Sequence, residues 1–205
     1  MNDLKKHTKI FRLKDLKIPL WIPDLNAVQL SYQQKKSEAA FPYWAKLWPA
    51  ACVLTAFIQE HSELVKNKRV LELAAGLGLP SLLASKFASS VLCSDYDATA
   101  VQFIQMNLAL NNITNMKAAQ IDWTEIPSTL DYDVLLLSDI NYDPNEFDTL
   151  QKLFHEILEK GATILLSTPQ RLVGKAFIAE LLAWCIINEE HQYQQTAVNV
   201  MVLKK

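Results

Sequence analysis

Two of the chain's four glycines, Gly76 and Gly78, stand two residues apart in the run Glu72-Leu73-Ala74-Ala75-Gly76-Leu77-Gly78-Leu79. In a chain so sparing of glycine, such a pair marks a place where a side chain is not tolerated: a tight turn, or a backbone pressed close to a ligand. The apolar run before the pair and Pro80 after it spell strand, turn and helix, and the start of that helix would offer free N–H groups. Asp95 ends the next apolar run seventeen residues after Gly78. At that distance a carboxylate can accept hydrogen bonds from both hydroxyls of a ribose. Asp97 is the better helix cap of the two acids, although either residue type serves as one.

A dinucleotide fingerprint would need a third glycine where this chain has Ser81, and the loop carries no Arg or Lys. A ligand with adenosine but no phosphate fits better, and S-adenosylmethionine is such a ligand. An NAD-dependent oxidoreductase stays open, weakened by the missing glycine. Two more strand ends carry chemistry. Asp122-Trp123 offers an indole that either lies beside an adenine or is an ordinary buried tryptophan. Ser138-Asp139-Ile140-Asn141-Tyr142 sets a carboxylate and a phenol three residues apart after a continuous apolar run. These two meet a substrate, or Asp139 ends the strand and Tyr142 packs on the following helix.

The elements that must position these groups follow from apolar patterning. Short strands are expected at Val70–Ala74, Val91–Ser94, Ala118–Ile121, Val134–Ser138 and Ala162–Leu166, with Cys185–Asn188 and Ala197–Leu203 closing the chain. Helices are expected from Ser81 to Phe87, from Asp97 to Leu110, from Asn145 to Lys160 (stopped by Gly161) and from Val173 to Ala183. Strand and helix alternate as βαβ units do, which predicts an α/β fold: a mostly parallel sheet with helices on both faces. The last two strands have no helix between them and should form an antiparallel hairpin at one edge. Ligands of such a sheet bind beyond the C-terminal ends of its strands, where all four groups above would gather.

Composition limits the choice of function. The 205 residues, half of them apolar, are enough for one domain with a sizeable core. A net charge of −2 argues against a nucleic-acid binder held by bulk positive charge. No apolar run approaches the roughly 18–20 residues that span a bilayer, and the N-terminus lacks a secretory profile. Cys52, Cys93 and Cys185 are too scattered for a disulfide framework or a Cys-x-x-Cys metal site, and no pair of His7, His61, His155 and His191 has ligand spacing. No metal is expected, and a reduced, cytoplasmic protein is. The first 40 residues carry eight basic residues against four acids, with two proline-interrupted strands at Ile10–Leu13 and Ile18–Pro23. They read as an accessory arm, residues 1–40, ahead of a main domain at 41–205.

Three motifs in order resemble those of a known family. Pro42-Tyr43-Trp44-Ala45-Lys46-Leu47-Trp48-Pro49-Ala50-Ala51 is similar to the Pro-Tyr-Trp-Ala-x-x-Trp-Pro stretch of lysine methyltransferases of the electron-transfer flavoprotein β subunit. Leu71 to Pro80 resembles the cofactor loop of the same group, with Ala74 where relatives usually have glycine, and Asp139-Ile140-Asn141-Tyr142 matches its Asp-x-x-Tyr motif. The group is the family-16, seven-β-strand methyltransferases, some bacterial members of which carry a nicotinamide-N-methyltransferase-like label. The resemblance implies a Rossmann-like seven-stranded fold and cofactor contacts from Trp48, Ala74, Ala75, Gly76, Asp95, Trp123 and Ser138. Glu72, Gly78 and Tyr96 in the same loops complete the expected cofactor set. It also implies that Asp139 and Tyr142 lie where substrate enters, with Tyr43 or Trp44 narrowing the channel. The implied activity is S-adenosylmethionine-dependent N-methylation of a lysine on a protein partner, with S-adenosylhomocysteine as product and no nucleic acid or membrane involved. The alternatives are a small-molecule amine N-methyltransferase and a non-catalytic adenosine-binding interaction module.

Overall fold

The computed structural model describes residues 4–34, 41–171 and 174–205. A hairpin opens the chain: β1 (Lys6–Leu13) and β2 (Leu16–Pro23), followed by α1 (Leu25–Gln34). Then come α2 (Pro49–Glu60), β3 (Arg69–Leu73), α3 (Leu79–Ala84), β4 (Ser90–Asp95), α4 (Ala98–Leu110) and β5 (Met116–Gln120). The second half contains β6 (Val134–Ser138), α5 (Phe147–Glu159), β7 (Thr163–Pro169), α6 (Lys175–Leu181), β8 (Cys185–Tyr193) and β9 (Thr196–Leu203). The expected helix from Val173 to Ala183 is shorter, and its first residue lies outside the described residues.

Seven strands form one sheet in the order β5-β4-β3-β6-β7-β9-β8. β5, β4, β3, β6 and β7 are parallel, while β9 runs antiparallel between β7 and the edge strand β8. The chain winds outward from β3 through β4 to β5 and then returns to lay β6 on the other side of β3. That reversal opens a crevice above the C-terminal ends of β3, β4 and β6.

Strand alternation explains why the central runs are apolar throughout. On β6, Val134 and Leu136 join the core beneath α2 and α3, while Leu135 and Leu137 join the core beneath α5 and α6. Both faces are covered, so polar residues have nowhere to alternate. Each fully buried aliphatic side chain of this kind contributes about 1.5–3 kcal/mol. Asp97 caps α4 as its position suggests, accepting from the N–H groups of Thr99 and Ala100 at 2.7 and 3.3 Å.

The N-terminal hairpin is packed on the sheet domain. Phe11, Ile18 and Leu20 are buried in the same cluster as α2 and α3. Its prolines are tolerated because a two-stranded ribbon consists of edges; Pro19 faces Ile10 across it. Asn107 of α4, fully buried, fastens it: its Oδ1 accepts from the Trp21 N–H at 2.6 Å and its Nδ2 donates to the Leu77 carbonyl at 3.1 Å. One amide therefore joins β2 to the glycine loop.

Candidate active site

The glycine loop leaves β3 in a backbone conformation that L side chains seldom adopt. Ala74, Gly76 and Gly78 all have positive φ, at 50°, 57° and 75°. Ala74 carries the strain that glycine would avoid. The Gly76 N–H donates to Asp95 Oδ2 at 2.9 Å, and the Asp97 N–H donates to Asp95 Oδ1 at 3.0 Å. Asp95 is thus aimed from the end of β4 at the loop, with a lone pair on each oxygen still free. Burial pushes its carboxyl up to about 6, against the pull of those two N–H groups.

A segment arriving from the other side closes the loop over. A Cβ built on Gly76 would lie 3.1 Å from the Trp44 carbonyl oxygen and 3.4 Å from its Cα. Trp44 cannot easily yield. Its ring lies 5.4 Å from that of Phe103, and its Nε1 donates to the Tyr32 hydroxyl at 2.9 Å. That hydroxyl in turn donates to Asp97. Trp44, expected to narrow a channel, lines the cavity; its ring joins this internal network, and what it presents to Gly76 is backbone.

Beyond the strand ends lies a cavity of about 370 Å³, the size of pockets that enclose small organic ligands. Of the expected cofactor residues, Trp48, Ala74, Ala75, Gly76, Asp95, Tyr96, Trp123 and Ser138 line it, as do Tyr43, Trp44, Asp139 and Tyr142. Glu72 and Gly78 do not. Glu72 points to the α3 side of β3, where its Oε2 accepts from the Ser81 N–H at 3.0 Å. The α3 amide expected to face a ligand is given to this carboxylate instead. Burial raises the Glu72 carboxyl to about 8, and its Oε1 has no partner. Gly78 faces inward, and a Cβ there would lie 3.1 Å from Cys93 Sγ. Both residues shape the loop from below.

At the mouth, the exposed rings of Tyr43 and Tyr142 and the half-buried ring of Trp48 form a ridge. Tyr43 lies 5.4 Å from Tyr142 and 6.1 Å from Trp48, centroid to centroid. The Trp48 indole N–H donates to the Tyr43 carbonyl at 2.8 Å, and the Lys46 ammonium sits 4.3 Å from the Trp48 ring. At the end of β6, Asp139 also takes a left-handed conformation, φ 56°, while its N–H donates to the Ser167 carbonyl at 2.9 Å. Its carboxylate is gripped by a residue that sequence reasoning missed. Arg171 donates through one terminal nitrogen to Oδ1 at 2.5 Å and through the other to Oδ2 at 3.0 Å. The pair raises the Arg171 guanidinium above its ordinary value. The signal that could have found Arg171 is its place just past the C-terminal end of β7, the strand beside β6.

The wall fits an adenosine-bearing sulfonium. Asp95 lines the cavity with a lone pair free on each oxygen, and Ser138 Oγ is buried without a partner. No basic side chain comes from the glycine loop itself, as expected for a ligand without a pyrophosphate. Among the described residues, no group of His, Cys, Asp and Glu could hold a metal ion.

The model of a family described as lysine methyltransferase matches residues 26–184. The chain belongs to the lysine methyltransferase family. Among curated members and relatives it is 32% identical over 125 residues to the histone-arginine methyltransferase METTL23 of Xenopus laevis, covering 58% of this chain and 53% of that one. It is 29% identical over 181 residues to the protein N-lysine methyltransferase METTL21A of Danio rerio, covering 84% and 81%. The chain spans about half to two-thirds of the METTL23 relatives it matches, 51–66% of their length. The fold of this lysine methyltransferase family chain is also that of a Thermus thermophilus 16S rRNA N2 G1207 methyltransferase solved with AdoMet and guanosine. That likeness has a TM-score of 0.67 at 17% identity, over 99% of this chain and 51% of the other.

Proposed function

We propose that the protein is an S-adenosylmethionine-dependent methyltransferase that acts on a lysine side chain of another protein. The observation that carries this reading is the cradle of Gly76 and Asp95, joined by a 2.9 Å hydrogen bond, opening into a mouth walled by Tyr43, Tyr142 and Asp139. Residues 41–205 would be the methyltransferase domain, the hairpin an accessory part, and the cytoplasm the place of action. Relatives are named for both lysine and arginine acceptors; the family description and the Asp-x-x-Tyr motif favour lysine.

When bound, S-adenosylmethionine supplies an electrophilic methyl group on a positively charged sulfur. In this reading Asp95 would accept hydrogen bonds from the ribose hydroxyls, Trp123 would flank the adenine, and Ser138 Oγ would supply one polar contact. What the chain must do for the acceptor is hold it on axis, since positioning a neutral nucleophile within contact distance carries most of the rate. A protonated amine has no lone pair, so its proton passes to water before transfer. Asp139 then takes an N–H of the amine on a lone pair that Arg171 leaves free. The rings of Tyr43 and Tyr142 flank it, and their π faces favour the ammonium as it forms.

Calorimetric titration tests this directly. The protein should bind S-adenosylmethionine and S-adenosylhomocysteine and ignore NAD. Asp139→Ala should retain that binding and lose turnover. Binding of NAD in preference to both sulfur compounds, or an active Asp139→Ala variant, would remove the proposal.

A further inference from the structure

We propose that Arg171 restricts the acceptor to a primary amine and excludes a guanidinium. This rests on the methyltransferase reading above and deepens it. A free carboxylate in the wall of the mouth would receive a guanidinium best of all, because two parallel N–H groups match its two oxygens. Here that place is already filled, at 2.5 and 3.0 Å, by the chain's own guanidinium. Each oxygen of Asp139 retains one outward lone pair, and the two diverge. A single N–H can still reach either of them; a second planar fork cannot bridge both.

Charge selects in the same direction. An arginine side chain is charged at every physiological pH, whereas a lysine amine can shed its proton. Asp143 and Glu146 line the same cavity and draw a cation toward it, yet what the cation meets beside Asp139 is Arg171. A lysine answers by deprotonating, which is the form that transfer requires. An arginine cannot. Both partners are also fixed in place. Asp139 is pinned to Ser167, and the residue before Arg171 donates its N–H to the Ala197 carbonyl at 3.0 Å. The charged fork is therefore part of the wall; its carboxylate is largely buried, with 10% side-chain exposure.

The test uses the full chain, S-adenosylmethionine labelled on its methyl group, and a soluble cell extract as acceptor, followed by acid hydrolysis and separation of methylated amino acids. Wild-type label should appear in methyl-lysine. Arg171→Ala should lower incorporation at least tenfold while its affinity for S-adenosylhomocysteine stays within twofold, which separates loss of position from loss of fold. Guanidinium ion, below denaturing concentration, should restore turnover to Arg171→Ala and leave the wild type unchanged, a rescue that a merely structural arginine would not show. Arg171→Lys, with the charge but no fork, should remain impaired. Wild-type label in methylarginine, or full activity in Arg171→Ala, overturns the inference. Failure to bind the cofactor, with no label in any amino acid, overturns the methyltransferase reading itself.

Discussion

Replacing Gly76 by alanine adds one carbon atom at the point where two distant segments touch, and its cost can be read from two numbers. The backbone there has φ 57°, which costs an L-residue about 1–2 kcal/mol. The new Cβ would also lie 3.1 Å from the Trp44 carbonyl oxygen, a backbone atom of a residue whose indole is held by the Phe103 ring and the Tyr32 hydroxyl. Relief requires the Trp44 segment or the loop to shift by a few tenths of an ångström, and both form walls of the cavity. The fold should lose roughly 2–3 kcal/mol in urea unfolding. Affinity for S-adenosylmethionine should fall at least tenfold, about 1.4 kcal/mol. Gly161→Ala separates the two effects, because Gly161 has φ 82° with nothing within 4 Å of its added Cβ. It should lose about 1–2 kcal/mol of stability and keep its cofactor affinity. If both variants lose the same stability and neither loses affinity, the Gly76 contact has no part in binding.

Two expectations concern pH. Burial holds the folded carboxyl of Glu72 near 8, above its ordinary 4.5, so its contribution to stability is full below 4.5 and is lost as pH rises through about 8. Glu72→Gln can still accept from Ser81 and should erase much of the decline in urea stability between pH 5.5 and 8.5; an unchanged decline would assign it to other groups. Asp95, raised to about 6, should accept the ribose hydroxyls only when ionised. Cofactor affinity measured by calorimetry should then fall as pH drops through about 6, by roughly tenfold one unit below, and a flat profile from pH 5 to 7.5 would contradict the ribose assignment.

The central strands β3, β6 and β7 were legible because burial on both faces makes their runs continuous, and Asp97 because a capping acid ahead of an apolar helix has few other uses. α2 carries no such mark. It is buried on nearly every side, including Ala50, Val53, Leu54, Phe57 and Ile58, so no polar stripe reveals its period. Glu72 and Trp44 belong to recognisable motifs, yet motif membership does not say which way a side chain points. The pleat sends Glu72 beneath α3, and Tyr32 draws Trp44 inward. Arg171 is 32 residues from Asp139 in the chain, and only the pairing of β6 with β7 brings them together.

The single amide of Asn107, shared between the Trp21 backbone and the Leu77 carbonyl, makes the opening ribbon a splint for the ligand-facing turn. Changes made in that ribbon, well away from the crevice, therefore have mechanical leverage on it. A shortened or tagged N-terminus would alter the shape of the pocket's grip before it altered anything a ligand touches.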